Sequence, residues 1–154
     1  MNEKILVVDD SPLVLRTLEM MLTEQGYEVL RAADGSEAVT VARQHQPDLI
    51  LLDIHFPPDV GYGGGVAWDG YRLIEWMHQT GASDAPVILI TGDDIEAVKD
   101  QARAAGAVGL FQKPLNTDAL LSSIQRILAQ RAARRAQTAD AQNETRLLRM
   151  DTRS

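Results

Sequence analysis

Residues 47–54 read "PDLILLDI": a proline and an aspartate, four apolar residues without a break, then Asp53 and one more apolar residue. The run at 49–52 is short for a helix and has no polar residue at alternate positions. It therefore reads as a strand covered on both faces, as in a parallel sheet. Working outward, similar short runs appear at 5–8, just ahead of Asp9-Asp10, at 29–30, at 87–90, just ahead of Thr91, and at 108–111, shortly before Lys113-Pro114.

Between these runs the apolar spacing becomes helical. Val14, Leu15, Leu18 and Leu22 form the first stripe, Ala38, Val41 and Ala42 the second, and Leu73, Ile74 and Met77 the third. Ile95, Val98, Ala102 and Ala105 form the fourth, and Leu120, Ile124 and Ile127 the fifth. Boundary signals agree. Ser11-Pro12 sets a cap before a proline at the first helical position, Asp34 with Glu37 and Asp93 with Glu96 have capping-box spacing, and Gly26 and Gly106 stand where helices one and four should end. Strand and helix alternating five times predict an α/β domain with a parallel sheet covered on both faces by right-handed crossovers.

The 154 residues suit one domain and contain no cysteine, which excludes a disulfide framework, a thiolate metal site and a cysteine nucleophile. No apolar run approaches a membrane span or a signal peptide, so the expected location is cytoplasmic. The net charge of −7 is uneven: residues 1–128 hold 9 Lys and Arg against 19 Asp and Glu, whereas 129–154 hold 6 against 3. An acidic body argues against general nucleic-acid binding, and the basic tail stands apart from it. From Leu115 onward there is neither Gly nor Pro, and the tail is rich in good helix formers while its apolar content drops after Leu128. The expectation is a projecting helix that frays, or one ordered by a partner.

Function in such sheets collects at the carboxyl ends of the strands. Asp9, Asp10, Asp53, Thr91 and Lys113 all fall there. Crowded carboxylates repel one another unless a cation neutralises them, and a set of hard oxygens without sulfur favours Mg2+. A carboxylate beside such an ion can attack phosphorus to give an aspartyl-phosphate, with metal and lysine offsetting charge on the phosphoryl oxygens. Taken singly, Asp9, Asp10 and Asp93 read equally well as helix caps, Thr91 as a loop residue and Lys113 as a solvated charge. Their joint placement favours a site.

In the pieces "ILVVDDSP", "PDLILLDI", "ILITGDD" and "GAVGLFQKP", in that order, the sequence resembles the receiver domain of two-component response regulators over about residues 3–128. The resemblance implies a flavodoxin-like (βα)5 three-layer sandwich with a five-stranded parallel sheet of order 2-1-3-4-5. It implies Asp53 as phosphoacceptor, Asp9, Asp10 and Asp53 as Mg2+ ligands together with the backbone carbonyl of His55, Thr91 as switch hydroxyl, Lys113 as the phosphate-pairing cation, and a cis Lys113-Pro114 bond. The implied function is a phosphorylation-dependent switch rather than an enzyme. It takes its phosphoryl group from a histidine kinase or histidine phosphotransfer protein and signals through a downstream protein. A homodimer through the last helix or the α4-β5-α5 face is a further expectation. The organisation expected is a receiver at 1–128 and a basic helical extension at 129–154.

Three departures from the family stand out. Gly70 lies 17 residues beyond Asp53, about twice the usual distance, so roughly residues 58–67 are inserted. "GYGGGV" is neither a dinucleotide fingerprint nor a P-loop with its lysine. The insert reads either as a lid over the acidic pocket or as decoration, since lengthening a loop costs little. Leu110 occupies the place where the family commonly has a switch aromatic, with Phe111 beside it. His55 stands two residues after Asp53, where the family's side chain often tunes hydrolysis, and an imidazole there predicts a pH-sensitive phosphoryl lifetime. His45 and His78 read as surface residues, and Trp68 and Trp76 as pins for the insert or, less simply, a docking patch. Arg131, Arg134 and Arg135 read as a solvated helix face. Two rivals remain: a receiver-like scaffold silent to phosphorylation, and a phosphatase of the haloacid dehalogenase type. The second lacks its second carboxylate, because Asp53 is followed by Ile54 and His55.

Overall fold

The computed structural model describes residues 2–55 and 69–151. Ten elements alternate along the chain: β1 (Lys4–Val8), α1 (Pro12–Glu24), β2 (Glu28–Ala32), α2 (Gly35–His45), β3 (Leu49–Asp53), α3 (Gly70–Thr80), β4 (Val87–Thr91), α4 (Ile95–Ala105), β5 (Gly109–Gln112) and α5 (Thr117–Asp151). The strands form one parallel sheet of order β2-β1-β3-β4-β5, the flavodoxin-like arrangement expected. The glycine-rich insert and Trp68, with the lid and pin readings attached to them, lie outside the described residues.

The central strands are uninterrupted runs because both faces of the sheet are covered. Every residue of β3 and β4 is buried. Leu6, Val8, Ile50, Leu52, Val87 and Leu89 enter one core cluster with Ala38 and Ala42 of α2, Leu73, Ile74 and Met77 of α3, and Ala102 of α4. Their alternates Ile5, Val7, Leu49, Leu51, Ile88 and Ile90 point to the other face, and Leu15, Leu18 and Leu22 are the buried stripe of α1. At about 25 cal/mol per Å2 of apolar area, each fully buried leucine or isoleucine contributes on the order of 2 kcal/mol, so these strands dominate the stability of the sheet.

The caps explain the helix boundaries. Ser11 Oγ accepts the N–H of Val14 with Pro12 at the first position, and Asp34 accepts the N–H of Glu37 while Glu37 reaches back to accept that of Ala33, one residue before the cap. Gly106 caps α4 with a left-handed φ of 97°. One cap needs correction. Asp94, not Asp93, caps α4, because the Asp94 carboxylate accepts the N–H of Glu96. Gly26 follows α1 as expected, at φ 90° one residue beyond the cap Gln25. Strand five starts one residue later than its apolar run suggested, at Gly109, since Val108 is half exposed and donates its N–H to Val87 before the ladder begins.

The chain divides into two compact units, Met1–Asn116 and Thr117–Ser154. The second holds α5, a helix of 35 residues that runs on to Asp151. Its buried residues are Leu120, Ile124, Ile127 and Leu128. From Ala129 to Arg149 every residue is exposed except the half-buried Arg131.

Candidate functional site

The register of the sheet carries the acidic residues to one place. Val8 pairs with Leu52 and Asp53 with Ile90, so Asp9, Asp53 and Thr91 emerge together where β1, β3 and β4 end. Thr91 pairs with Gln112, which brings Lys113 to the same edge. Asp9 and Asp53 are only 2% and 7% exposed, Thr91 is fully buried and Asp10 is open to solvent. Carboxylate oxygens of Asp9, Asp10 and Asp53 all lie within 4.8 Å of one another, a set of hard ligands that fits a divalent cation of the Mg2+ class.

Lys113 ties two of these carboxylates. Its Nζ donates to Asp9 Oδ2 at 3.1 Å and to Asp53 Oδ2 at 3.2 Å. The other Asp9 oxygen accepts the N–H of Ser11 at 2.9 Å, and the other Asp53 oxygen accepts the N–H of His55 at 3.1 Å. Lys113 is held in register by its own N–H, which donates to the Thr91 carbonyl at 2.7 Å, and its bond to Pro114 is cis, as expected. Burial raises the pKa of Asp53, and the neighbouring Asp9 charge adds to this; the His55 N–H and the Lys113 ammonium pull the other way without cancelling it. Burial works against the charged form of Lys113, yet its hydrogen bond to Asp9 and the charges of Asp53 and Asp9 prevail and raise its pKa. The ammonium stays charged in the site.

Two loops frame these groups. The Thr91 hydroxyl accepts the N–H of Asp93 at 2.9 Å, folding the loop after β4 back on its strand. His55 pairs with Asp69 in an isolated antiparallel bridge that closes the base of the β3-to-α3 connection. Gly70 then starts α3 against the end of β3: its N–H donates to the Ile54 carbonyl at 2.7 Å, and a Cβ there would lie 3.0 Å from both the Asp53 carbonyl oxygen and Ile54 Cα.

All the side chains expected at the site are brought together: Asp9, Asp10, Asp53 and Lys113 in direct contact or within ligand distance, with Thr91 at the adjoining strand end. Leu110 sits half buried in β5 and packs against the core, so no aromatic ring occupies that position. Two features were not foreseen in the sequence, the contact that the His55 side chain makes and the burial of Tyr71. His55 Nε2 lies 2.7 Å from Asp93 Oδ2, linking the loops after β3 and β4; the signal was there, since each residue stands two positions beyond a site residue on neighbouring strands. Tyr71, nearly buried, leaves its hydroxyl without a hydrogen-bond partner among the described residues, and nothing in its sequence context marks it.

Comparison with known proteins agrees with this geometry. Residues 5–125 match the model of the response regulator receiver domain. The chain is similar to the protein PilH of Pseudomonas aeruginosa, 34% identical over 127 residues that cover 82% of this chain and 98% of PilH. It is also similar to the transcriptional regulatory protein KdpE of Mycobacterium tuberculosis, 34% identical over 96% of this chain but only 58% of KdpE, so it spans little more than half of that longer relative. Among solved structures, chemotaxis protein CheY4 of Vibrio cholerae superposes with a TM-score of 0.71 at 29% identity, covering 82% of this chain and 99% of CheY4. Receiver domains are signalling switches of two-component systems and generally bind Mg2+ at an acidic pocket. With the sheet order, the acidic cluster and these similarities in agreement, the chain belongs to the family of response regulator receiver domains.

Proposed function

We propose that the chain is a phosphorylation-dependent switch in which Asp53 accepts a phosphoryl group from a histidine kinase or a histidine phosphotransfer protein. A carboxylate oxygen of Asp53 forms the new O–P bond as the P–N bond to the donor imidazole breaks, and the imidazole leaves with the electron pair of that bond. The observation that carries this reading is Lys113 Nζ, placed between Asp9 and Asp53 with both carboxylates nearly buried. That ammonium is positioned to pair with the incoming phosphoryl oxygens.

Asp9, Asp10, Asp53 and the backbone carbonyl of His55 are the groups that would hold Mg2+. Bound there, the ion supplies neutralising charge for the phosphoryl oxygens. The Thr91 hydroxyl, which now accepts the N–H of Asp93, is the group that would donate to the phosphoryl oxygen and alter the loop after β4. Turnover is limited to slow self-catalysed phosphorylation and dephosphorylation, and the output is a protein contact, with a second copy of the chain among the possible partners. The same reading places the protein in the cytoplasm, with the receiver in residues 1–128 and a helical extension beyond.

Intact mass after incubation with Mg2+ and acetyl phosphate tests this. The expected result is a Mg2+-dependent gain of one phosphoryl group that is absent in Asp53→Asn. No gain with acetyl phosphate or with histidine kinases favours the silent scaffold, and steady release of phosphate from phosphate esters favours the phosphatase.

A further inference from the structure

The exposed part of α5 has more pattern than a solvated helix requires. Ala129, Ala132, Ala136, Ala139, Asn143 and Leu147 recur at every third or fourth position and so share one face. All six are exposed, Leu147 by 63%. This seam has charged flanks of opposite sign. On one side run Arg131 and Arg135; on the other run Asp140 and Glu144. Along each flank the like charges fall at i,i+4, as in Arg131 with Arg135 and Asp140 with Glu144, an arrangement that disfavours a lone helix by a few tenths of a kcal/mol per pair.

We infer that residues 129–149 of α5 pair in parallel and in register with the same helix of a second copy, forming a two-stranded coiled coil with Arg135 of each copy facing Asp140 of the other. Three features point to this occupant. The complementary flanks belong to one helix, so the surface that fits them is that helix itself across a two-fold axis. In a parallel pair the basic flank of each helix faces the acidic flank of its partner, whereas an antiparallel pair sets basic against basic. With Ala136 and Ala139 at the a and d positions, Asn143 falls at a, where a single asparagine favours a register-matched dimer over higher assemblies, and Arg146 falls at the next d, a charge in the seam that weakens the pairing. Alanine lets the backbones approach closely but buries little apolar area, so the pairing is weak, with a dissociation constant in the micromolar to millimolar range.

Sedimentation equilibrium on the full chain, from micromolar to about 1 mM, reads the association. The expected result is a concentration-dependent dimer that is weakened about tenfold, ~1.4 kcal/mol, by Arg135→Glu or by Asp140→Arg alone and recovered in the double swap. A chain that stays monomeric throughout, sediments as a trimer, or ignores both swaps while circular dichroism shows the helix intact overturns the inference. Because the chain has no cysteine, orientation is read separately with Ala132→Cys, at a d position, and Asn143→Cys, at an a position. In a parallel pair each variant oxidises to a disulfide with its own kind. Cross-linking that appears only when the two variants are mixed overturns the parallel arrangement.

Discussion

His55 Nε2 and Asp93 Oδ2 meet at 2.7 Å, joining the loop that follows the proposed phosphoacceptor to the loop that follows Thr91. Both side chains are more than half exposed, so as an ion pair the contact is worth little to stability, about 0 to 1 kcal/mol. Its position matters more, since it joins residues that stand two beyond Asp53 and two beyond Thr91 and are tied to them by the His55 and Asp93 N–H groups. His55→Asn and Asp93→Ala should leave the melting temperature nearly unchanged and shift the lifetime of the aspartyl-phosphate several-fold. Decay of the phosphorylated mass with time checks this, and equal lifetimes in both variants and the parent would remove any role for the pair.

Asp53 makes the cost of the site visible in stability. Its pKa is raised, chiefly by burial, so the native state holds the proton at a higher pH than the unfolded chain does. The benefit of that proton is complete below the unfolded value and is lost as pH rises through the raised one. At neutral pH the ionised carboxylate is therefore a net burden. Asp53→Asn should raise the melting temperature by a few degrees at pH 7 and show a shrinking advantage as the pH approaches 4, followed by thermal denaturation across that range. A variant less stable than the parent at pH 7 would mean that the Lys113 pairing outweighs desolvation.

Gly70 fixes the approach of α3 to β3. A methyl group there would sit 3.0 Å from two backbone atoms of Asp53 and Ile54, which cannot move aside as a side-chain tip would. Gly70→Ala should destabilise the protein by about 1–3 kcal/mol and slow phosphorylation of Asp53, because the backbone that carries the acceptor must shift. Denaturant unfolding and the rate of mass gain with acetyl phosphate measure the two effects, and an unchanged rate in a destabilised protein would confine Gly70 to packing.

The strands and the site were legible because both depend on local signals. Four or five apolar residues ending in a charged or hydroxyl residue announce buried parallel strands, and the ends of those strands converge by topology alone. Asp9, Asp10, Asp53, Thr91 and Lys113 were therefore readable before any coordinates. The cap of α4 was not, because Asp93 and Asp94 are adjacent and Glu96 stands at capping-box spacing from Asp93 alone, whereas the carboxylate that caps the helix is that of Asp94 and Asp93 meets His55, a contact between distant segments. The close approach at Gly70 and the buried Tyr71 hydroxyl are likewise products of how α3 lands on the sheet, which no local pattern encodes.

Tyr71 offers a test in which removing a polar atom improves the fold. Its hydroxyl is buried with no partner among the described residues, and its pKa is raised by burial and by the charges of Asp69 and Asp93. A buried hydroxyl left unpaired costs about 1–3 kcal/mol. Tyr71→Phe should thus gain about 1 kcal/mol at neutral pH. The gain should widen above pH 10, where the unfolded parent loses its phenolic proton more readily than the folded one. Urea unfolding at pH 7 and at alkaline pH gives both numbers, and a loss of stability at pH 7 would show that the hydroxyl is hydrogen-bonded in solution.

The acidic cluster sets up the last expectation. Lys113 offsets part of the charge of Asp9 and Asp53, while Asp10 stands exposed beside them with an oxygen in the same ligand group. A cation that binds only the folded cluster stabilises it by mass action, about 1.4 kcal/mol at ten times its dissociation constant. Mg2+ should raise the melting temperature of the parent above that in sodium chloride of matched ionic strength, which separates ligation from screening. Asp10→Asn, at an exposed position, should unfold like the parent without Mg2+ and lose most of the Mg2+-dependent gain. Equal gains in Mg2+ and in matched sodium chloride would show that the three aspartates respond to ionic strength alone.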